Sequence, residues 1–294
     1  MRDGNQKTES KPKPRIGVVV GSGGIKAFSS IPLFEFLDSA GIKPDLLIGC
    51  SGGGIMTSFY AVHQDSSEMR DLAAKIWTKE LFKRVDYRTL FAIAKLPMTQ
   101  FDKSRGLIKP DNIYECFQNM YGERLIENLP SRLMLQTTDL VTGEPVMITS
   151  GRLWDAVYGS AALFPILPPI FREGRWLIDG GYSAPVPILR AVNEGMDVII
   201  AVSMEVRATD DSDNFVDYFM RCIAYQSTWL TRNTLALSVD LHHHEIIFVN
   251  VVFDKMIGLK SVDSIPDIIG LGEEALNEKK DEILAAISNF SSAR

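Results

Sequence analysis

Asp45-Leu46-Leu47-Ile48-Gly49-Cys50-Ser51-Gly52-Gly53-Gly54-Ile55-Met56-Thr57-Ser58-Phe59-Tyr60-Ala61-Val62 is the stretch on which the fold turns. Asp45–Gly49 reads as a short buried strand and Gly53–Val62 as a helix. Between them lies Gly49-Cys50-Ser51-Gly52-Gly53, a G-x-S-x-G pattern in the strand–turn–helix setting that the pattern requires. A serine there must take strained backbone angles, and Gly49 and Gly53 let strand and helix close in on it. The turn lifts the hydroxyl above the C-terminal edge of a sheet. It also sits at a helix N-terminus, whose partial positive charge favours a developing alkoxide. Five residues alone are equally compatible with a glycine-rich turn used for packing or phosphate binding.

The alternation of strand and helix continues outward. Arg15–Val20 is a β-branched run that reads as a strand, followed by Gly21-Ser22-Gly23-Gly24-Ile25-Lys26 and an apolar helical pattern ending at Gly41. Glycines in such a loop let backbone N–H groups converge on one point. In an acyl hydrolase that nest would hold the oxyanion of the tetrahedral intermediate. The loop lacks the spacing of a dinucleotide or P-loop fingerprint. Downstream, Leu133–Thr138 and Val146–Thr149 read as strands joined by a turn, with further strands at Trp176–Ile178, Val198–Val202 and Ile246–Val252. Helices are expected near Pro187–Asn193, over Phe215–Val239 and over Asp267–Ile287, and Ser66–Asp111 is irregularly helical. The pattern points to βαβ units around a largely parallel sheet, an α/β fold in one domain over residues 15–294. Residues 1–14, polar and rich in proline and lysine, read as a disordered arm.

Composition narrows the function. The 294 residues carry a formal charge of −6, which argues against nucleic-acid binding and against recruitment to an anionic membrane by net charge, while leaving a local basic patch open. Cys50, Cys116 and Cys222 form no metal or disulfide pattern and suit a reducing compartment. The N-terminus lacks the apolar core of a signal peptide, and no run of 18 apolar residues occurs, so a soluble, cytoplasmic protein is expected. Neither a metal nor another cofactor is expected.

Ser51 stands too early in the chain for the usual triad. About 35 structured residues precede it, room for two strands, whereas the α/β-hydrolase elbow follows the fifth strand. The histidines are His63, His242, His243 and His244. His63 lies roughly 18 Å away along the same helix, and the cluster at 242–244 reads as a polar turn, with a histidine-dependent esterase as the competing use. The base is then a carboxylate. Asp179 in Leu177-Ile178-Asp179-Gly180-Gly181 ends an apolar strand, where it could take the serine proton and return it to the leaving group. Taken alone, Asp179-Gly180-Gly181 reads better as an ordinary Asx turn.

Taken together, the glycine loop, the G-x-S-x-G and the distant D-G-G resemble the patatin-like phospholipase family, in its bacterial branch. Thr138-Asp139-Leu140, Thr142-Gly143-Glu144, Ser160-Ala161-Ala162, Pro165, Pro168-Pro169 and Gly272-Glu273-Glu274-Ala275 extend the likeness over residues 15–285. The resemblance implies a three-layer α/β/α sandwich and a Ser51–Asp179 dyad that hydrolyses acyl esters of lipids or phospholipids without a metal. It places the oxyanion hole on Gly21, Ser22, Gly23, Gly24 and Lys26, and Gly180 and Gly181 after the base. Ser22, Ala27, Ser30 and Ala184 depart from the family pattern. The departures at Ala27 and Ala184 motivate an alternative, a catalytically silent lipid-binding scaffold. Phe164, Ile166 and Leu167 are the expected acyl-pocket residues. Leu90–Met98 reads first as a core helix ended by Pro97 and, alternatively, as an interfacial segment that presses Phe91, Ile93 and Leu96 into a bilayer.

Overall fold

In the computed structural model, which describes residues 13–76, 78–96, 98–207, 211, 215–241, 245–258 and 261–290, eight strands form one sheet. They are β1 (Ile16–Val20), β2 (Leu46–Cys50), β3 (Leu133–Asp139), β4 (Pro145–Ile148), β5 (Ile170–Arg172), β6 (Arg175–Asp179), β7 (Val198–Val206) and β8 (Glu245–Phe253). The order is β5-β6-β3-β2-β1-β7-β8, with β4 also paired to β3. The strands β3, β2, β1, β7 and β8 run parallel. On the flank, β4 and β6 are antiparallel to β3, and β5 is antiparallel to β6.

The helices are α1 (Ile31–Ser39), α2 (Gly52–His63), α3 (Met69–Ile76), α4 (Tyr87–Ile93), α5 (Asp111–Tyr121), α6 (Leu153–Ser160), α7 (Ile188–Asn193), α8 (Phe215–Leu241), α9 (Ile265–Asn277) and α10 (Lys280–Ser288). Side chains alternate across the parallel strands, as a period of two requires. Ile16, Val18, Val20, Val198, Ile200 and Val202 point into a large core shared with α1, α2, α5, α6 and α9. Val19, Leu46, Ile48, Ile199 and Ala201 point the other way, onto Ile188, Ala191 and Val192 of α7. Burial on both faces explains why these strands are continuous apolar runs. The result is three layers, thick on one side and thin on the other.

Two expectations change. The C-terminal segment is two helices, with a break at Glu278-Lys279 where the Lys279 N–H turns to the Leu276 carbonyl. The break aims Ile283 and Ala286 at the same core as Leu276. Leu90–Met98 is not a core helix. α4 ends at Ile93, and Leu90, Phe91, Ile93 and Leu96 are exposed. Pro97, His242–His244 and residues 1–12 lie outside the described residues.

Candidate active site

β2 ends at Cys50 and α2 begins at Gly52, so Ser51 alone makes the turn. It adopts φ 54° and ψ −122°, a conformation that costs a non-glycine residue about 1–3 kcal/mol. The approach is possible because Gly53 lacks a side chain: a Cβ there would lie 2.2 Å from the Val20 carbonyl oxygen. Hydrogen bonds hold the strained residue. The Ser51 N–H donates to Ser160 Oγ at 2.9 Å, and the Ser160 hydroxyl donates to the Gln136 carbonyl at 2.7 Å. The Ser51 carbonyl accepts the Ile55 N–H at 3.3 Å.

Ser160, at the end of α6, thus ties the Ser51 turn to β3. No local sequence signal reveals this role, because the partners are 109 residues apart. Ser160→Ala leaves the Ser51 N–H buried without its acceptor. It is expected to destabilise the fold by about 1–3 kcal/mol in denaturant unfolding, and an unchanged midpoint would refute the tie.

The hydroxyl of Ser51 donates to Asp179 Oδ2 at 2.5 Å. Asp179 Oδ1 accepts the Gly181 N–H at 2.7 Å, which fixes the carboxylate plane. Register explains the meeting. Cys50 pairs with Gln136 and Asp179 with Thr137, so Ser51 and Asp179 lie in one row across β2, β3 and β6. Asp179 reaches that row on an antiparallel strand rather than at the end of a parallel one. Both side chains are buried. Burial pushes the Asp179 carboxyl up to about 6, against the lowering effect of the bonds from Ser51 and Gly181. The neighbouring Cys50 thiol is pushed up by burial and then by the Asp179 charge.

The glycine loop divides into two parts. The N–H groups of Gly21 and Ser22 donate to the carbonyls of Val202 (3.0 Å) and Pro185 (2.7 Å). They hold the loop in place and are not available to an oxyanion, which corrects the expectation for these two amides. The N–H groups of Gly23 and Gly24 find no acceptor among the described residues, and both residues line the cavity beside Ser51 and Asp179. Gly24 sits at φ 57°, which favours glycine. The amide of Gly52, the first of α2, is likewise without an acceptor among the described residues and faces no helical partner. Gly52 was legible in G-x-S-x-G as the residue after the serine. Lys26 lines the same cavity, and burial pushes its ammonium down to about 8. Ala27 lies in the following 3₁₀ turn, outside the positive-φ region, so its departure from glycine strains nothing.

The cavity is otherwise apolar. Of the three residues named for an acyl pocket, Ile166 and Leu167 line this cavity and Phe164 does not; Leu163 also lines it. The Leu167 N–H donates to the Leu163 carbonyl at 2.9 Å, which closes the turn that carries these residues. The other walls come from Ile113 and Phe117 of α5 and from Met220 and Ile223 of α8. His63 is remote from this site, stacked on Phe59 with centroids 4.2 Å apart at the end of α2. Among the described residues no cluster of histidine, cysteine or acidic side chains could hold a metal.

Known proteins add the family. The model described as patatin-like phospholipase matches residues 18–192, more than half of the chain. The chain belongs to the patatin-like phospholipase family. Patatin-like phospholipase domain-containing protein 7 of Rattus norvegicus is 27% identical over 228 residues, 77% of this chain and 16% of that protein. Lysophospholipase nte1 of Neurospora crassa is 28% identical over 198 residues, 67% of this chain and 12% of that protein. The chain therefore spans less than a fifth of the length of these curated relatives. VipD from Legionella pneumophila shares the patatin-like fold with a TM-score of 0.54 at 13% identity, covering 92% of this chain and 67% of VipD. No helix among the described residues is long and apolar enough to cross a membrane.

Proposed function

We propose that this patatin-like chain is a lipid acyl hydrolase of the phospholipase A or carboxylesterase type. The observation that carries the proposal is the 2.5 Å bond from Ser51 Oγ to Asp179 Oδ2 at the floor of an apolar cavity. Asp179 takes the Ser51 proton as Oγ attacks the acyl carbonyl carbon. The carbonyl oxygen becomes an oxyanion facing the amides of Gly23, Gly24 and Gly52, with the Lys26 ammonium nearby. Asp179 then returns the proton to the departing alkoxide, leaving an acyl-Ser51. A water molecule, deprotonated by Asp179, attacks the acyl carbon; the C–Oγ bond then breaks as Asp179 gives that proton to Ser51 Oγ, releasing the fatty acid and the free serine. The names of the phospholipase relatives support a lipid ester as substrate. The relaxed conformation at Ala27 lends no support to the silent-scaffold alternative.

Treatment with a fluorophosphonate should attach one phosphonyl group, mapped by peptide mass spectrometry to Ser51, with loss of p-nitrophenyl ester turnover. An unlabelled Ser51 in folded protein would sink the proposal. The pH profile follows from the carboxyl raised to about 6. Below that value Asp179 is protonated and cannot accept the serine proton, so log kcat/KM should fall about one unit per pH unit on the acid side. A profile that stays flat well below pH 6 would exclude Asp179 as the base.

A further inference from the structure

The described residues of 83–109 form an excursion whose two ends meet beside the cavity. Its base is closed by backbone bonds from the Asp86 N–H to the Leu107 carbonyl (2.8 Å) and from the Lys109 N–H to the Arg84 carbonyl (2.7 Å). Two more tie it to the cavity-lining segment: the Leu107 N–H donates to Pro165 (2.9 Å) and the Ile108 N–H to Ile166 (2.8 Å). Arg105 bridges to Asp86 at 2.6 Å inside this frame.

What the frame carries is apolar and unburied. Tyr87, Leu90, Phe91, Ile93, Leu96, Met98 and Phe101 are all exposed, Ile93 by 53% and Phe101 by 59%. Apolar exposure on this scale marks an interaction site. Its charge is equally distinctive. The excursion holds seven lysines and arginines against two aspartates, five positive charges net in a chain of net −6. Lys83 and Arg84 pair with the flanking Glu80 and Asp111, and Lys103 lies over the Trp176 ring at 5.8 Å. Arg88, Lys95 and Lys109 make no ion pair among the described residues.

We infer that residues 83–109 dock the protein on an anionic lipid bilayer. The apolar side chains enter the boundary between headgroups and acyl chains, and Arg88, Lys95 and Lys109 meet lipid phosphates. An apolar surface interleaved with cations and nearly free of acids is complementary to such a bilayer. Because the frame is bonded to Pro165 and Ile166, docking sets the acyl cavity beside the lipid. The inference shares with the proposed function only the lipid nature of the substrate.

The test uses the full chain carrying Ser51→Ala, so that vesicle lipid is not consumed, in co-sedimentation with vesicles of phosphatidylcholine alone or mixed with phosphatidylglycerol. Binding should favour the anionic vesicles and weaken with salt. Each cation near an anionic surface contributes roughly fivefold to partitioning, so Arg88→Gln with Lys95→Gln should lower it by about 25-fold. Phe91→Ser with Ile93→Ser should lower binding to both vesicle types. Built on active protein, the same substitutions should leave turnover of a soluble short-chain ester unchanged. Equal binding to the two vesicle types, or wild-type binding by the charge-neutralised variant, overturns the inference. Charge-dependent binding by a protein that cleaves no ester would uphold the docking and remove the catalytic proposal instead.

Discussion

Asp179→Asn should cut ester turnover by about 10⁴-fold, the scale seen when an acid in a serine hydrolase is replaced by its amide, while leaving a more stable protein. The loss follows from chemistry: an amide cannot accept the Ser51 proton, and here no histidine stands between the two groups. The gain follows from burial. The carboxyl is raised from 3.8 to about 6 in the fold, so ionisation is disfavoured by folding. Such a group adds stability below its unfolded value, near pH 4, and that contribution is lost as the pH rises through about 6. The difference of some two pKa units corresponds to about 3 kcal/mol at neutral pH. Asparagine is nearly isosteric, keeps an acceptor for the Gly181 N–H and offers a donor to Ser51 Oγ. Its stability advantage over the native protein should therefore be widest above pH 7 and shrink toward pH 4, as read by denaturant unfolding at several pH values. A variant less stable than the parent at pH 8 would contradict this account of the buried carboxylate.

Gly52→Ala should cost about 10²–10³ in kcat, the loss typical of one missing oxyanion donor. A Cβ at this position would stand 2.2 Å from the Gly24 carbonyl oxygen and 3.0 Å from the Ala27 side chain. Backbone cannot yield as a side-chain tip can, so the glycine loop must move away from the nucleophile turn. That displacement separates the amides of Gly23 and Gly24 from that of Gly52. The apolar walls of the cavity are untouched, so KM should change far less than kcat on a short-chain ester. A variant with native kcat would show that the two segments need not be in contact during turnover.

Much of the fold was legible because the parallel strands are buried on both faces and declare themselves as runs such as Gly17–Val20 and Val198–Val202. The nucleophile turn was legible because its glycines are demanded by close backbone approach. What escaped the sequence depended on distance or brevity. β5 has three residues, too few for a period, and α6 hides a helix in Leu153–Ser160, whose last residue matters only through contacts with Gln136 and Ser51. The antiparallel course of β6 could not be read from Leu177-Ile178-Asp179, since a strand's direction is set by what it pairs with. Gly21 and Ser22 show the same limit: the glycine loop was visible, but the acceptors that occupy its first two amides are on Val202 and Pro185.

The cavity is assembled from two distant parts of the chain. Ser51, Asp179 and the free amides lie within residues 18–192, where the family model matches. Met204, Met220, Ile223 and Ile257, which also line the cavity, lie beyond that range. A ligand that fills the cavity meets both parts: the polar groups at Ser51 and Asp179 and the apolar side chains of Met204, Met220, Ile223 and Ile257. Lengthening an acyl-like tail until it reaches those methionines is expected to tighten binding, because each added methylene is then taken out of water.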